Sequence, residues 1–564
     1  MTTATTREAN CNNYGSINII HFEEEPKGWR TTNRRSIAST QRLTALLLGL
    51  AIGVFALFAV FSKDSFPSTP FYSAQLSAFG QNYRDHIGTD DDQLTDPPHF
   101  IQQKVDHFDD KSTATYYQRY YRYNKHFGGP GHPIFLVMGG EGPAIGLFYP
   151  FVNDHLAKRY KGYVVQPEHR FYGASIPFKV KHNRDFIGVL TPEQAIADAL
   201  HLLSHTQKRL GCSTDRTSKN YCPVITVGGS YPGFLAAMLR IVHPNRVDMA
   251  YASSSPLPLY AQHVDPNAYF ELITRSAERA SAGCADAVRT TLKSIDEEIL
   301  KGNHSIPHLA KQMNICKDFP KYIDSREMFA QELMMVVGAG FADFNMGNYP
   351  PTDQTELAQA CHIFQDGRLT TYDKMDRFLQ MVDESNDVIR RKCGFDFRTQ
   401  IPDGPNGTVS SADWSGGGGG SVGRAWDFQT CTDLIVQTSF SENSMFPPRE
   451  WTLDWLTQHC QSRFGLNPTP TRLVDMWHFD DLPNRSSHII FTNGLNDGWS
   501  TCSIVDNLSP TIVAINYPNG AHHSDLSDAG PTDSDPNDIQ QGFIQISDIL
   551  GRWLSELKGE TQGK

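Results

Sequence analysis

The stretch that most restricts this chain runs from Val224 to Val242. Val224-Ile225-Thr226-Val227 is a β-branched run that reads as a strand, and Phe234 to Val242 is apolar at helical spacing and ends before Pro244. Only Gly228-Gly229-Ser230-Tyr231-Pro232-Gly233 separates them, so the strand must turn sharply into the helix. A strand that feeds a helix without a hairpin belongs to a parallel, helix-flanked sheet. The turn also isolates one hydroxyl. Glycines on both sides permit a strained turn that lifts Ser230 above the sheet, and the helix N-terminus beneath it favours developing negative charge. The pattern departs from Gly-x-Ser-x-Gly, because Pro232 takes the second place after the serine and the glycine comes one residue later. A glycine turn after a strand is, taken alone, structural more often than catalytic, so by itself it leaves both readings open.

The neighbouring pattern repeats the alternation. Pro133 to Met138 reads as a buried strand ending in Gly139-Gly140-Glu141-Gly142, and Tyr163 to Val165 as another leading to His169-Arg170-Phe171-Tyr172-Gly173. Thr191-Pro192-Glu193-Gln194 then opens a helix, with Thr191 as N-cap, Pro192 at the first position and Gln194 placed to close a capping box; Gly211 ends it. A short strand is expected at Met249 to Ala252. From Pro256 to Cys393 the pattern is helical, as in Ala268 to Arg289 and Arg326 to Ala339, and strands return at His488 to Phe491 and Thr511 to Ile515. The expected fold is a doubly wound α/β sheet of the α/β-hydrolase type, its first part over 96–256, a helical cap inserted over 257–395, and its second part over 396–558. The glycine run Gly416 to Gly420 reads as a flexible loop in that second part.

A serine hydroxyl needs an imidazole base within reach and a carboxylate that holds the imidazole tautomer. In hydrolases of this fold the order is serine, then an acid after a late strand, then histidine after the last strand. Asp497, in Asn493-Gly494-Leu495-Asn496-Asp497-Gly498-Trp499, follows the first of the late strands, and His522 and His523 follow the second. Spacing alone does not separate the two histidines.

The N-terminal 95 residues read differently. From Leu43 to Phe61 no residue is charged, and a helix of roughly 19 residues would span roughly 28 Å, close to the bilayer core. Arg30, Arg34, Arg35 and Arg42 precede this run, which predicts a cytoplasmic tail over 1–42, one membrane-spanning helix over 43–62 and a stem over 63–95. The remainder is then luminal or extracellular, as a single-pass type II protein, endolysosomal or at the cell surface. In the tail, Tyr14-Gly15-Ser16-Ile17 has the form that sorting adaptors read. Nine of the 10 cysteines lie beyond the span, with four sequons at Asn303, Asn406, Asn484 and Asn507, which suits an oxidising, glycosylating compartment. Nine is odd, so one is expected free or paired between chains. The formal charge of −12, with no basic cluster outside the tail, excludes nucleic acid as a partner, and no cofactor or metal site is expected. A homodimer stays open.

These ordered motifs resemble the prolyl carboxypeptidase and dipeptidyl peptidase II family of serine peptidases, from about Gln103 to Leu557. The resemblance is carried by Val105-Asp106-His107-Phe108-Asp109, the turn Gly139 to Gly142, Glu168-His169-Arg170-Phe171-Tyr172-Gly173 and Leu190-Thr191-Pro192-Glu193-Gln194-Ala195. It continues in Gly228 to Tyr231, Trp426-Asp427-Phe428-Gln429-Thr430-Cys431-Thr432-Asp433, Asp497-Gly498-Trp499 and Gly520-Ala521-His522-His523. It implies hydrolysis after proline or a similar small residue near a chain end, with peptides as partners. It also implies His522 as the base, Asp497 as its orienter, and the amides of Tyr231 and Gly140 as oxyanion donors. Phe234, Val436 and Trp499 match positions lining the family's proline pocket. Bridges Cys284 to Cys361, Cys316 to Cys393 and Cys431 to Cys460 are implied likewise; Cys212 and Cys222 then pair by elimination and Cys502 is left over. Two positions depart from the family: Pro143, where an acidic residue is common, which bears on terminus recognition, and Ser527, where an arginine is common, which bears on pH optimum. Rival readings are a carboxypeptidase against an aminodipeptidase, an esterase or lipase on the same fold, and an inactive adhesion or receptor module.

Overall fold

The computed structural model describes residues 97–559, apart from 148, 321–322, 384–392, 401–419, 528–531 and 534. One sheet of eight strands organises it: β1 (His99–Lys104), β2 (Thr115–Tyr123), β3 (Ile134–Val137), β4 (Tyr163–Pro167), β5 (Val224–Gly229), β6 (Met249–Ser253), β7 (Ile489–Gly494) and β8 (Ile512–Tyr517). Their spatial order is β1-β2-β4-β3-β5-β6-β7-β8, with β1, β2 and β4 paired antiparallel in turn and every pairing from β4 to β8 parallel. This is the α/β-hydrolase arrangement. Residues of β3 to β7 are buried throughout, as strands covered on both faces must be, whereas β2 alternates exposed and buried residues. That antiparallel pair of β1 and β2 was not anticipated from the sequence.

The longer helices are α1 (Pro192–Leu210), α2 (Tyr231–Val242), α3 (Ala268–Ala280), α4 (Cys284–Lys301), α5 (Arg326–Met346), α6 (Glu356–Gln365), α7 (Thr371–Val382), α8 (Gly420–Thr430), α9 (Leu453–Phe464) and α10 (Asn537–Leu557). The helices α1 and α2 pack on one face of the sheet through residues such as Leu202, Leu203, Leu235 and Leu239. On the other face Phe543, Ile546, Leu550 and Trp553 of α10 pack against Val137, Val227 and Ile490. Between β6 and β7 the described residues form no strand. The helices α3 to α6 pack on one another, and α8 and α9 extend the helical stretch beyond residue 395.

Several local expectations are refined. The helix expected over Ala268 to Arg289 is two helices, because the chain turns at Gly283, whose φ of 81° is left-handed. Thr191 caps α1 by accepting from the Gln194 amide, but the Gln194 side chain does not close a box. It donates to Asp106 Oδ1 at 2.6 Å and Gly188 O at 3.0 Å, and accepts from the His107 amide at 2.9 Å, a tertiary set of partners that outweighs the local one. Four bridges are present, Cys212–Cys222, Cys284–Cys361, Cys316–Cys393 and Cys431–Cys460, and Cys502 is a buried free thiol. Asn303, Asn484 and Asn507 are exposed, while Asn406 and all of the glycine run except Gly420, which starts α8, lie outside the described residues. The expected tail, span over 43–62 and stem also lie outside them. Among the described residues no helix is long and apolar enough to cross a membrane.

Candidate active site

Ser230 sits between β5 and α2 with φ 64° and ψ −134°, a left-handed φ that a side chain adopts only under constraint. The constraint is visible around it. The Ser230 amide donates to Ser253 O at 2.9 Å, at the end of β6, and the Ser230 carbonyl accepts from Phe234 N at 3.1 Å. A Cβ on Gly233 would lie 2.8 Å from that same Ser253 carbonyl oxygen, so the glycine displaced by one residue still serves close approach of helix to sheet. Pro232 is tolerated because it falls in the first turn of α2, where an N–H would lack an intrahelical partner.

The candidate acid and base follow the two adjacent strands beyond β6. Asp497, fully buried, follows β7; its Oδ1 accepts from the Trp499 amide at 3.0 Å and its Oδ2 pairs with His522 Nδ1 at 2.7 Å. The His522 ring is buried, and its Nε2 makes no hydrogen bond. Nδ1 faces Asp497, so the ring nitrogen left without a partner is Nε2. His523 points elsewhere. Its ring lies against Gly229, where a Cβ would come within 2.8 Å of His523 Cγ, and its amide donates to Ser254 Oγ at 3.0 Å. Burial holds the His523 imidazole well below the usual histidine range. Of the two adjacent histidines, it is His522 whose ring pairs with Asp497.

Residues of α5 hold the segments that carry Asp497 and His522, which the sequence did not signal. On α5, Asn345 Nδ2 donates to Asn496 O at 2.6 Å and Asn345 Oδ1 accepts from Gly498 N at 2.9 Å, bracketing Asp497; Met346 O accepts from the His522 amide at 3.3 Å. These partners are 151 to 176 positions apart in the chain, beyond any local pattern.

Of the expected oxyanion donors, Tyr231 begins α2 and Gly140 follows β3, the strand beside β5, so both lie at the end of the sheet that carries Ser230. The Tyr231 hydroxyl is bonded to His169 Nε2 at 3.0 Å and receives Gln429 Nε2 at 3.1 Å, which anchors the ring. The expected pocket residues separate. Trp499 is half-buried with its ring 6.1 Å from that of His522. Val436 lines a cavity with Met335, Trp451 and Trp455. Phe234 is fully enclosed between Tyr260 and Phe479, so it packs the core and does not face a pocket.

Residues 103–542 match the family described as serine carboxypeptidase S28. This chain belongs to that family. Among its curated relatives, the lysosomal Pro-X carboxypeptidase of Mus musculus is 28% identical over 82% of this chain and 90% of its own length. The Bos taurus protein of the same name is 26% identical over 81% of this chain and 88% of its own length. The thymus-specific serine protease of Mus musculus is 26% identical, also over 81% and 88%.

Other motif residues of this S28 chain build the scaffold. Asp198 on α1 holds the buried Arg170 through two contacts of 2.7 Å, and also His107 at 2.7 Å and the Tyr116 hydroxyl at 2.8 Å, which joins two of the motifs to α1 and β2. Glu168 pairs with Arg119 and accepts from Ala144 N at 2.8 Å and Ser175 Oγ at 2.7 Å, fixing the segment after the Gly139 to Gly142 turn. Asp427, Cys431 and His459 lie close enough to suggest a metal site. Their chemistry does not fit one: the Cys431 sulfur is bonded to Cys460, and the Asp427 carboxylate is shared by His459 at 2.7 Å and Arg463 at 2.7 Å.

Proposed function

We propose that this chain is a serine exopeptidase that cleaves after proline, or a similar small residue, next to a free C-terminus. The observation that carries this reading is the His522–Asp497 contact of 2.7 Å with Nε2 of the same ring left open; a serine held at positive φ on the strand-to-helix turn after β5 supplies the candidate nucleophile. In this reading Ser230 attacks the scissile carbonyl, His522 Nε2 takes its proton and returns it to the leaving amine, and Asp497 holds the tautomer. The amides of Tyr231 and Gly140 would stabilise the oxyanion, with Trp499 beside the base as a wall of the substrate site. The names of the Pro-X carboxypeptidase relatives support the choice of bond and chain end.

The test is an assay of the purified luminal part on paired proline peptides. Release of the last residue from an N-blocked Ala-Pro-Phe with a free carboxylate is expected, and amidation of that carboxylate should suppress it. Cleavage confined to peptides with a free amino end, releasing dipeptides, would overturn the carboxypeptidase reading in favour of an aminodipeptidase. The uncharged run from Leu43 to Phe61 supports membrane attachment of this activity through one N-terminal helix. Full-length protein should then stay in the pellet on alkaline carbonate extraction, and appearance in the supernatant would remove the anchor.

A further inference from the structure

Asp525, three residues after His522, is a fully buried carboxylate for which the proposed triad has no use. It receives the Tyr251 hydroxyl on Oδ2 at 2.6 Å and the Ser253 hydroxyl on Oδ1 at 2.6 Å. Both donors stand on β6, and the Thr492 side chain of β7 adjoins the carboxyl as well. The phenols of Tyr149 and Tyr517 complete its titratable surroundings, together with the histidines of its own loop. Among the described residues no arginine or lysine forms an ion pair with it. Burial pushes the Asp525 carboxyl above the usual carboxylate range, against the opposing effect of its hydroxyl donors. A buried carboxylate without a counter-ion is costly, so its retention here calls for a role that an apolar side chain would not fill.

The position of Ser253 suggests that role. Its carbonyl oxygen accepts the amide of Ser230 at 2.9 Å, and its hydroxyl donates to Asp525 at 2.6 Å. One residue thus holds the backbone of the serine turn on one side and the histidine loop on the other. We infer that Asp525 is a positioning residue for His522, clamping the histidine loop to the end of β6 so that the separation of Ser230 from the base is set through Ser253. This inference rests on the Ser230–His522–Asp497 reading proposed above.

The experiment is a double-mutant cycle on the full-length enzyme with Asp525→Asn, Ser253→Ala and both together, measuring kcat and KM. Reactive sites are counted with a fluorophosphonate, and His522→Ala runs alongside. Asp525→Asn should lower kcat per titrated site on the order of 100-fold with KM little changed, since misplacement by about 1 Å costs that much. Ser253→Ala should cost several-fold alone and nothing further on top of Asp525→Asn. Unchanged kcat per site in Asp525→Asn, losses that multiply in the double variant, or a loss wholly explained by fewer titratable sites would each overturn the positioning role. If His522→Ala keeps full activity the triad fails and the inference falls with it; if only Asp525→Asn does, the inference alone falls.

Discussion

Among the described residues, histidine and aspartate side chains meet at 2.7 Å in three places, and those contacts do different work. His459 meets Asp427, His107 meets Asp198 and His522 meets Asp497. In the first two, the imidazole uses Nε2 and the carboxylate also holds a buried arginine, Arg463 or Arg170. Those clusters are structural, because every charge is matched by a near neighbour and the histidine is one donor among several. In the third, the imidazole uses Nδ1, the other carboxylate oxygen accepts only from the Trp499 amide, and Nε2 is left open. A His–Asp contact is therefore weak evidence for catalysis by itself. The ring nitrogen that makes it, and what else shares the carboxylate, distinguish the candidate proton-transfer pair from the two buried ion pairs.

The comparison breaks most sharply at the reactive pair. Ser230→Ala should reduce peptidase activity by at least about 10³-fold with folding intact, because only the hydroxyl is removed, and His522→Ala should do the same in the molecules that stay folded. His523→Ala should be milder, and the reverse ranking of the two histidines in kcat/KM would move the base to His523. A folded Ser230→Ala enzyme with substantial activity would end the triad reading.

The structural pair should respond in stability. Asp427→Ala strands Arg463 and His459, both almost completely buried, so unfolding free energy should fall by about 3–5 kcal/mol in denaturant titration. The activity of the molecules that remain folded should stay near that of the parent. An equal fall in kcat with unchanged stability would mean that this cluster had been misread as scaffold.

A smaller effect sharpens the contrast in pH. His169, bonded to the Tyr231 hydroxyl beside the serine turn, is lowered by burial to about 4. Because the unfolded chain protonates this histidine near 6.5 and the folded chain does not, its contribution is complete above about pH 6.5 and is lost as the pH falls through about 4. The full size is about 3 kcal/mol. Unfolding midpoints measured across that window should fall less steeply for His169→Gln, and an identical slope would exclude His169 as a cause. The depressed value also leaves the ring neutral in a mildly acidic compartment.

Much of this was legible in the chain because it depends on neighbours in sequence. The run Val224 to Val227, the glycines that follow and the helix ended before Pro244 dictate a strand, a tight turn and a helix whatever surrounds them, and with them a parallel sheet and a raised Ser230. The alternation of strands and helices placed Asp497 and the histidine pair after the last two strands in the right order. What stayed hidden involves partners brought together only by packing. The sequence could not show that Gln194 prefers Asp106 to its own helix end, that Phe234 is sealed in the core, or that Asn345 brackets the turn of Asp497 from the cap. Nor does spacing choose between adjacent histidines, since one peptide step swings a side chain to a different face. In the fold the bare backbone of Gly229 admits the His523 ring, while Asp497 pairs with His522. Local propensity determined where the reactive groups sit along the chain; tertiary packing decided which of their atoms face each other, because orientation is set by contacts across tens to hundreds of residues.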